Sequence, residues 1–370
     1  MSRGHKIAFY APMKSPRHPV PSGDREMARN LMGLLAGTGA TVTLASELRV
    51  YDRSGDTEHQ ATLRGKAAHE IDRICTEIRA TPEADRPALW LTYHNYYKAP
   101  DLIGPAVAER LGIPYVQVES TRANKRLEGP WSDFARAAHE AADAAAVIFY
   151  LTEQDHETLL RDRYADQRLV HLPPFLTAKT LPTASDHSGP LLSVGMMRPG
   201  DKLASYRLLA DALARVSQPW RLDIVGDGPA RPEVETLMRP FGEHVRFLGE
   251  LNWEALEALY QQASLFLWPG VNEAFGMVYL EAQAHGVPVV AQDRPGLCDV
   301  VTQWEEPDLN PTTDSGAAGY ARALERALDD GALRNRQAKR ARDRIATRHL
   351  APVAAQKLWA TLSPLLEISS

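Results

Sequence analysis

Residues 268–301, WPGVNEAFGMVYLEAQAHGVPVVAQDRPGLCDVV, decide the fold of this chain. The apolar run ASLFLWP that leads into them is a strand stopped by a Pro-Gly pair, and residues 275–285 are predicted to be a helix closed by Gly286. The apolar run PVVA then forms the next strand. The stretch is therefore a strand, loop, helix, strand unit of a parallel α/β sheet.

Two glutamates lie near the start of this helix. Glu273 is in the loop before it, and Glu281 is predicted to lie about two turns inside it. The amides of Phe275, Gly276 and Met277 would be among the unpaired donors of the helix N-terminus, where the helix dipole favours a phosphate. Glu273 is also explained as an acid that complements the dipole, so the spacing alone leaves both interpretations open.

The wider motif resembles the donor-site signature of retaining GT-B glycosyltransferases of the family-4 type. NEAFGMVYLEAQAHGVPVVA followed by RPGLCDVV matches E-x-F-G-x-x-x-x-E, then A-x-G-x-P-V-V-A, then a G-x-x-(D/E)-x-V turn. The resemblance implies that Glu273 binds hydroxyls of the donor sugar and that Glu281 binds the ribose hydroxyls. It further implies that the sugar and diphosphate meet the backbone of Ala274, Phe275, Gly276 and Met277.

The length of 370 residues predicts two domains, because one core stops growing at ~250–300 residues. By the resemblance these are two Rossmann-like α/β domains that face each other across a cleft. Residues 1–180 are expected to form the acceptor-side domain and residues 181–350 the domain for the nucleotide-sugar donor. Residues 351–370 are expected to form a helix that crosses back to the first domain, and TLPTASDHSGP to link the two.

Composition excludes several classes of protein. A net charge of -5 argues against a generally basic nucleic-acid binder, and no apolar run approaches the ~18 residues of a membrane span. The first residues show no secretory signal, so we expect a cytoplasmic protein. Two cysteines are too few for a disulfide framework. The basic segment 334–349 is either a solvated helix face or a peripheral contact with anionic lipids of the inner membrane surface.

The first half of the chain begins with a β-α-β pattern and offers two candidate residues. Gly23, expected just before the first helix, is either a plain turn glycine or the counterpart of the glycine loop that the family places after its first strand. His94 lies at the carboxyl end of the strand ALWLTYHNYY, where ligands of parallel sheets gather. HNYYKAPDLIGPAVAERLGIPYV resembles the family segment in which this histidine faces the sugar.

A basic loop follows the next predicted strand. Arg122, Lys125 and Arg126 are candidates to bind an anionic acceptor such as a lipid phosphate, although a solvated loop explains them equally well. Glu119, just before this loop, is near a position where the family often has a histidine.

The second half opens with SVGMMRPGDK, which resembles the family pattern G-x-x-R-x-x-x-K between a strand and a helix. Arg198 and Lys202 would clamp the diphosphate and neutralise the leaving nucleoside diphosphate. The later string IVGDGPARP lacks the third glycine of a dinucleotide fingerprint, and its prolines are expected to break the helix start. A nicotinamide cofactor is therefore not expected.

The resemblance implies a retaining transferase that moves a hexose from a UDP- or GDP-sugar to a hydroxyl acceptor, such as a glycan or glycolipid precursor of cell-surface polysaccharide. His94, Glu273, Arg198 and Lys202 are the predicted catalytic residues, and neither a metal ion nor another cofactor is expected. No general base can be named. The alternatives are a GT-B nucleotide-sugar epimerase, which would need an acid/base pair near His94, and a non-catalytic sugar-binding protein.

Overall fold

Two parallel β-sheets organise the chain in the computed structural model, which describes residues 4–20, 22–165 and 167–368. The first sheet has six strands and the second has five. The chain divides into two units, described here one at a time. The first contains the described residues up to 173 together with those from 352 onward, and the second contains residues 174–351.

The first unit has the strand order β2-β1-β3-β4-β5-β6, with every pair of neighbours parallel. Its strands are β1 (Lys6–Tyr10), β2 (Thr41–Leu44), β3 (Leu89–Asn95), β4 (Tyr115–Ser120), β5 (Val147–Tyr150) and β6 (Arg168–His171). Its helices are α1 (Gly23–Gly37), α2 (Thr57–Ala80), α3 (Gly104–Leu111), α4 (Ser132–Ala144) and α5 (Glu153–Arg161), and it also includes the last helix of the chain.

The second unit has the strand order β11-β10-β7-β8-β9, again all parallel. Its strands are β7 (Leu191–Val194), β8 (Leu222–Val225), β9 (Val245–Gly249), β10 (Phe266–Leu267) and β11 (Val289–Val290). Its helices are α6 (Asp201–Leu213), α7 (Arg231–Met238), α8 (Trp253–Tyr260), α9 (Met277–Ala284), α10 (Leu297–Val300), α11 (Gly316–Asp329) and α12 (Gly331–Arg348). The last helix, α13 (Ala351–Ile368), lies almost wholly in the first unit.

The central strands of both sheets are buried, as parallel strands covered by crossover helices must be. All of β4, β5, β7 and β8 is buried, and the largest buried side chains include Trp90 in the first unit and Trp268 in the second. In both sheets the carboxyl ends of the strands meet at one edge. The loops that follow them are the positions from which side chains can be gathered into a site.

Residues 180–190 differ from the expected linker. They belong to the second unit and are hydrogen-bonded to it, because Ser185 N donates to His285 O at 2.7 Å and Gly189 N donates to Gln262 O at 2.7 Å. The division between the units falls at residues 173 and 174 instead, within the segment HLPPFLT.

The basic segment 334–349 forms most of α12. Four of its arginines donate hydrogen bonds to backbone carbonyl groups of the second unit. Arg342 donates to Ala284 O at 2.6 Å and to Pro182 O at 3.0 Å, and Arg344 donates to Asp299 O at 2.6 Å. Arg334 and Arg340 likewise donate to backbone carbonyl groups. The exposed cations of the segment are Arg336, Lys339 and Arg348.

These exposed cations are the residues with which α12 would contact an anionic lipid surface, and the membrane contact stays a prediction. None of the described helices combines the length and the apolar character needed to span a membrane.

Candidate functional site

The two charged residues that the sequence assigns to the diphosphate and to the sugar meet at the carboxyl edge of the second sheet. Lys202, in the first turn of α6, lies with its Nζ 2.6 Å from Oε2 of Glu273. The Trp268 indole donates to the same oxygen at 3.2 Å, and the Lys202 ammonium lies 5.4 Å from the centre of the Trp268 ring. The structure therefore brings Lys202 and Glu273 into direct contact, and their roles toward a donor stay a prediction.

Two further hydrogen bonds tie the loop before Glu273 to the start of α6. Val271 N donates to the Ser205 hydroxyl at 3.0 Å, and the Asn272 side chain donates to Asp201 Oδ1 at 2.9 Å. Because both partners lie in the first five residues of α6, the loop is held in one place relative to the helix that carries Lys202.

Helix α9 begins at Met277, two residues later than predicted, because Gly276 adopts a positive φ of 66° as the residue before it. A Cβ atom at this position would lie 2.9 Å from the Tyr279 ring and 3.1 Å from the Glu273 side chain, so the backbone here requires glycine. Glu281 is the fifth residue of α9, so it lies about one turn inside the helix rather than the two turns expected.

Glu281 is partly buried and receives a hydrogen bond from the Tyr260 hydroxyl at 3.0 Å. Burial raises the pKa of this carboxyl to about 6, although the Tyr260 hydrogen bond acts in the opposite direction. The carboxylate is therefore fixed by one partner and has a second oxygen with which to bind a ligand.

Arg198 lies in the loop between β7 and α6 and is half-buried. Its backbone carbonyl accepts a hydrogen bond from Leu203 N at 3.1 Å, so the loop that carries Arg198 is joined to the same helix as Lys202.

The glycines after β8 differ in detail from what the sequence suggested. Gly226 and Gly228 both have positive φ, and Pro232 lies within the first turn of α7 rather than breaking it. Proline is tolerated there because the first amides of a helix have no partner in the helix.

His94 occupies a second site, at the carboxyl edge of the sheet of the first unit. Its Nδ1 lies 3.0 Å from Oδ1 of Asp24, the second residue of α1, and its Nε2 lies 3.9 Å from Oε1 of Glu119 at the end of β4. Tyr96 packs beside the imidazole with ring centres 4.8 Å apart. Sequence reasoning placed His94 here but did not identify Asp24 as its partner.

The two carboxylates decide the charge of this histidine. Burial alone would lower the pKa of His94, but the charge of Glu119 and the hydrogen bond and charge of Asp24 outweigh it and raise the pKa to about 9. Burial would also raise the pKa of Asp24, yet its hydrogen bond with His94 and the charge of His94 lower it. His94 is therefore an imidazolium at neutral pH.

Asp24→Asn is expected to lower the pKa of His94 from about 9, because asparagine keeps the shape of the side chain and removes its charge. Carbon-13 labelled histidine followed by NMR over pH 5–10 measures this, with Glu140→Gln, an exposed position of the same unit, as control. Since the folded pKa lies above the unfolded value of ~6.5, this stabilisation is complete below pH ~6.5 and is lost as the pH rises through about 9. An unchanged pKa in Asp24→Asn would contradict the assigned contact.

The three cations of the basic loop have different surroundings. Arg122 is buried and its guanidinium pairs with Asp143 at 2.6 Å, so its charge is already balanced. Lys125 is exposed. Arg126 lies over the rings of Tyr97 and Trp131, 5.2 Å and 5.1 Å from their centres. The structure therefore does not bring Arg122, Lys125 and Arg126 together as one anion site.

Gly23 is the first residue of α1 rather than a residue before it, and Ser22 is the N-cap, whose hydroxyl accepts from Arg25 N at 3.3 Å. A Cβ atom at Gly23 would meet nothing within 4 Å. The fold therefore does not require glycine here, and its contact with a phosphate stays a prediction.

Within residues 4–20, 22–165 and 167–368, no three side chains of His, Cys, Asp or Glu form a group that could hold a metal ion.

Several residues of the two sites could not be found from the sequence. Trp268 and Tyr260 are ordinary core aromatics by their spacing, and only their contacts with Glu273 and Glu281 connect them to the site. One feature of the sequence could have identified Asp24 as a site residue, because it directly follows the candidate Gly23 at the end of the first βα turn.

Comparison with known proteins supports the family resemblance. Residues 190–330, which contain β7, α6 and α9, match the family model described as Glycosyl transferases group 1. The chain is 40% identical over 313 residues to a D-inositol 3-phosphate glycosyltransferase of Salinispora arenicola, covering 74% of this chain and 67% of that protein. It is 28% identical over 293 residues to the enzyme of the same name from Jonesia denitrificans, covering 70% of this chain and 68% of that one.

The fold has solved counterparts. The structure of Anabaena HepE in complex with UDP has a TM-score of 0.72 and 17% identity, and the alignment covers 97% of this chain and 100% of that chain. The predicted GT-B fold of two Rossmann-like α/β domains is thereby confirmed. With this fold, the matched family model and the 40% identical relative, the chain belongs to the group 1 glycosyltransferases and is a transferase enzyme.

Proposed function

We propose that this enzyme transfers a hexose from a UDP- or GDP-sugar to a hydroxyl acceptor with retention of the anomeric configuration. The contact of Lys202 with Glu273 carries the proposal, because it joins a cation suited to a diphosphate with a carboxylate suited to sugar hydroxyls. The bond that breaks in a nucleotide sugar joins the diphosphate to the sugar, which are the two parts that the cation and the carboxylate would bind. UDP is the first nucleotide to test, since the solved HepE structure contains it.

The chemistry follows from this placement. As the bond between the sugar and the diphosphate breaks, negative charge develops on the departing phosphate oxygen, and Arg198, Lys202 and the amides before α9 would stabilise it. That oxygen takes the proton of the acceptor hydroxyl, so no side chain has to act as base. Glu273 and Glu281 would hold the sugar and the ribose, and His94 would position the sugar. The reaction needs no metal ion, which an assay in the presence of EDTA tests.

The acceptor side of the proposal has new support in the first unit. Tyr97 and Trp131 meet edge to face with ring centres 5.9 Å apart, and both Lys98 and Arg126 lie within 6 Å of the two rings. Aromatic rings bind the apolar faces of carbohydrates, and the two cations suit an acidic substituent. A glycan or glycolipid precursor with an anionic group fits this surface.

Nucleotide binding gives the direct test. A ligand at ~100 times its Kd adds about 2.7 kcal/mol to the free energy of unfolding, so UDP or GDP is expected to raise the melting temperature by several degrees and NAD to leave it unchanged. Arg198→Ala is expected to reduce the shift, whereas Arg207→Ala, an exposed arginine of α6, is expected to keep it. A response to NAD alone would overturn the proposal.

A nucleotide-sugar epimerase is the second candidate, and one observation favours it. Asp24 and Glu119 beside His94 supply the ionisable groups that such an enzyme would need. Incubation of the bound sugar nucleotide without an acceptor separates the two functions. We expect the sugar to remain unchanged, and transfer to appear only when an acceptor is added. Conversion to an epimer would favour the second candidate.

A further inference from the structure

Tyr260 and Glu281 form a contact between two helices of the second unit. Tyr260 is the last residue of α8 and is fully buried, and its hydroxyl donates to Oε2 of Glu281, in α9, at 3.0 Å. No other described residue donates a hydrogen bond to this carboxylate. The contact therefore fixes one carboxylate oxygen and leaves Oε1 for a ligand.

The ring of Tyr260 is itself held in place by other rings. It stacks on the imidazole of His285, with ring centres 5.1 Å apart and an angle of 16° between the two planes. Its centre also lies 6.3 Å from the centre of the Phe266 ring in β10. Because a fully buried ring packed against its neighbours has little freedom to move, the position of the Tyr260 hydroxyl is fixed.

The neighbour of this pair, His285, is a neutral group. Its Nδ1 lies 2.8 Å from the backbone carbonyl oxygen of Glu281, so this nitrogen carries the hydrogen. Burial lowers the pKa of His285, which leaves the ring uncharged at neutral pH. The charged groups that act on it are Glu257 from α8 and Arg342 from α12. The hydrogen bond from Tyr260 is what favours the charged form of the Glu281 carboxyl group.

Two adjacent hydroxyl groups are the ligand that suits a carboxylate held in this way. Each hydroxyl can donate one hydrogen to the carboxylate, which accepts hydrogen bonds only when it is ionised. Hydrogen bonds to a charged acceptor are stronger than those between neutral groups. A carboxylate that is already oriented binds such a pair at a lower entropic cost than one that rotates freely. The ribose of a nucleotide has two hydroxyl groups of this kind.

We propose that Tyr260 is a positioning residue whose hydroxyl keeps the Glu281 carboxylate ionised and aligned for both hydroxyls of the donor ribose, so that ribonucleotides bind more tightly than their dideoxy counterparts. The inference rests on the proposed function, in which Glu281 holds the ribose. Tyr260 acts through Glu281 and does not itself contact the nucleotide. All of the groups involved belong to the second unit.

The ratio of two affinities tests the inference. Titration calorimetry over pH 5–9 measures the affinity of wild type and Tyr260→Phe for UDP and for dideoxyuridine diphosphate, which lacks both ribose hydroxyls. GDP and its dideoxy form replace them if GDP is the nucleotide that gives the thermal shift. Both nucleotides of a pair carry the same diphosphate, so the titration of the phosphate cancels in the ratio.

Tyr320→Phe is the matched control. Tyr320 is also fully buried in the second unit, and its hydroxyl donates to the backbone carbonyl oxygen of Val290 at 2.5 Å rather than to a carboxylate. The substitution therefore removes a buried hydroxyl of the same kind without changing a hydrogen bond to Glu281. We expect this variant to have the same affinity ratio as wild type at every pH.

At pH 8 the Glu281 carboxyl group is expected to be ionised in both proteins, so the comparison there measures its alignment. Wild type is expected to bind UDP at least ~10-fold more tightly than the dideoxy nucleotide, as two hydrogen bonds to a charged group can provide. In Tyr260→Phe this preference should be about 3-fold smaller, because one hydrogen bond that orients the carboxylate is lost. Equal binding of the dideoxy nucleotide by both proteins shows that the variant is folded.

The pH profile distinguishes positioning from a general loss of packing. Burial raises the pKa of Glu281 to about 6 and the Tyr260 hydrogen bond opposes this rise, so the wild-type preference should disappear as the pH falls through about 6. Without the hydroxyl the pKa rises further, and the midpoint in Tyr260→Phe is expected about one pH unit higher. A packing defect alone would weaken binding without moving the midpoint.

Kinetics with a sugar nucleotide should agree with the binding data. Tyr260→Phe is expected to raise the donor KM and leave kcat unchanged, since the ribose is bound alike in the ground state and the transition state. An unchanged affinity ratio or an unshifted midpoint in Tyr260→Phe would overturn the inference, as would equal binding of UDP and its dideoxy form by wild type. The transfer function would survive each of these results. Failure of every protein to bind UDP or GDP would instead reject the donor site and the inference together.

Discussion

Lys202→Ala is expected to lower kcat by about 10²–10³-fold, the usual effect of removing one group that stabilises developing negative charge. The ammonium lies 2.6 Å from the Glu273 carboxylate, so the substitution also removes that contact and leaves the hydrogen bond from the Trp268 indole in place. Initial rates of sugar transfer with the donor identified by thermal shift measure the effect.

The matched control is Arg207→Ala, which removes an exposed cation from the same helix. Because Lys202 and Glu273 act as a pair, Lys202→Ala combined with Glu273→Gln is expected to cost less than the product of the two single effects. Full activity in Lys202→Ala would show that the ion pair is only structural, and strictly multiplicative losses in the double variant would show that the two residues act independently.

Trp268→Ala is expected to lower the free energy of unfolding of the second unit by about 3–5 kcal/mol, the range for deleting a large buried aromatic side chain. The ring is fully buried, meets Tyr206 edge to face with centres 5.0 Å apart, and donates its N–H to Glu273. Denaturant unfolding followed by circular dichroism gives the change, with UDP binding measured on the folded protein.

Trp253→Ala is the corresponding control, since this tryptophan in the same unit is 51% exposed and its loss should cost well under 1 kcal/mol. Equal stability losses in the two variants would contradict the central position assigned to Trp268.

Local pattern was enough to predict the α/β order and the unit around Glu273. Residues 268–301 fold as the expected loop, helix and strand, and Lys202 reaches Glu273 although 71 positions separate them. The predicted start of α9 was wrong because Gly276 adopts a left-handed backbone conformation, which the amino-acid sequence alone does not show. GT-B fold and family were both correct because the motif spans many positions.

The surroundings of charged residues could not be predicted in the same way. Asp24 lies 70 positions from His94 and reaches it only because β1 and β3 are neighbours in the sheet. The sequence did not show that the Arg122 guanidinium is paired with the Asp143 carboxylate. The arginines of α12 looked like one solvated face, yet four of them donate to carbonyl groups of their own unit. The sequence gives the number of charged side chains, but the tertiary structure decides which groups they contact.

The assignment of α13 to the first unit limits how this enzyme can be recombined with its relatives. A chimera made by a single exchange near residue 174 takes the first half from one parent and the last helix from the other. That helix contains the fully buried Leu358, Leu362 and Leu366, and its Trp359 ring lies 6.1 Å from His5 near the other end of the chain. Exchange of donor specificity between such enzymes therefore calls for two junctions, with residues 174–351 moved as a cassette and the last helix left with its parent.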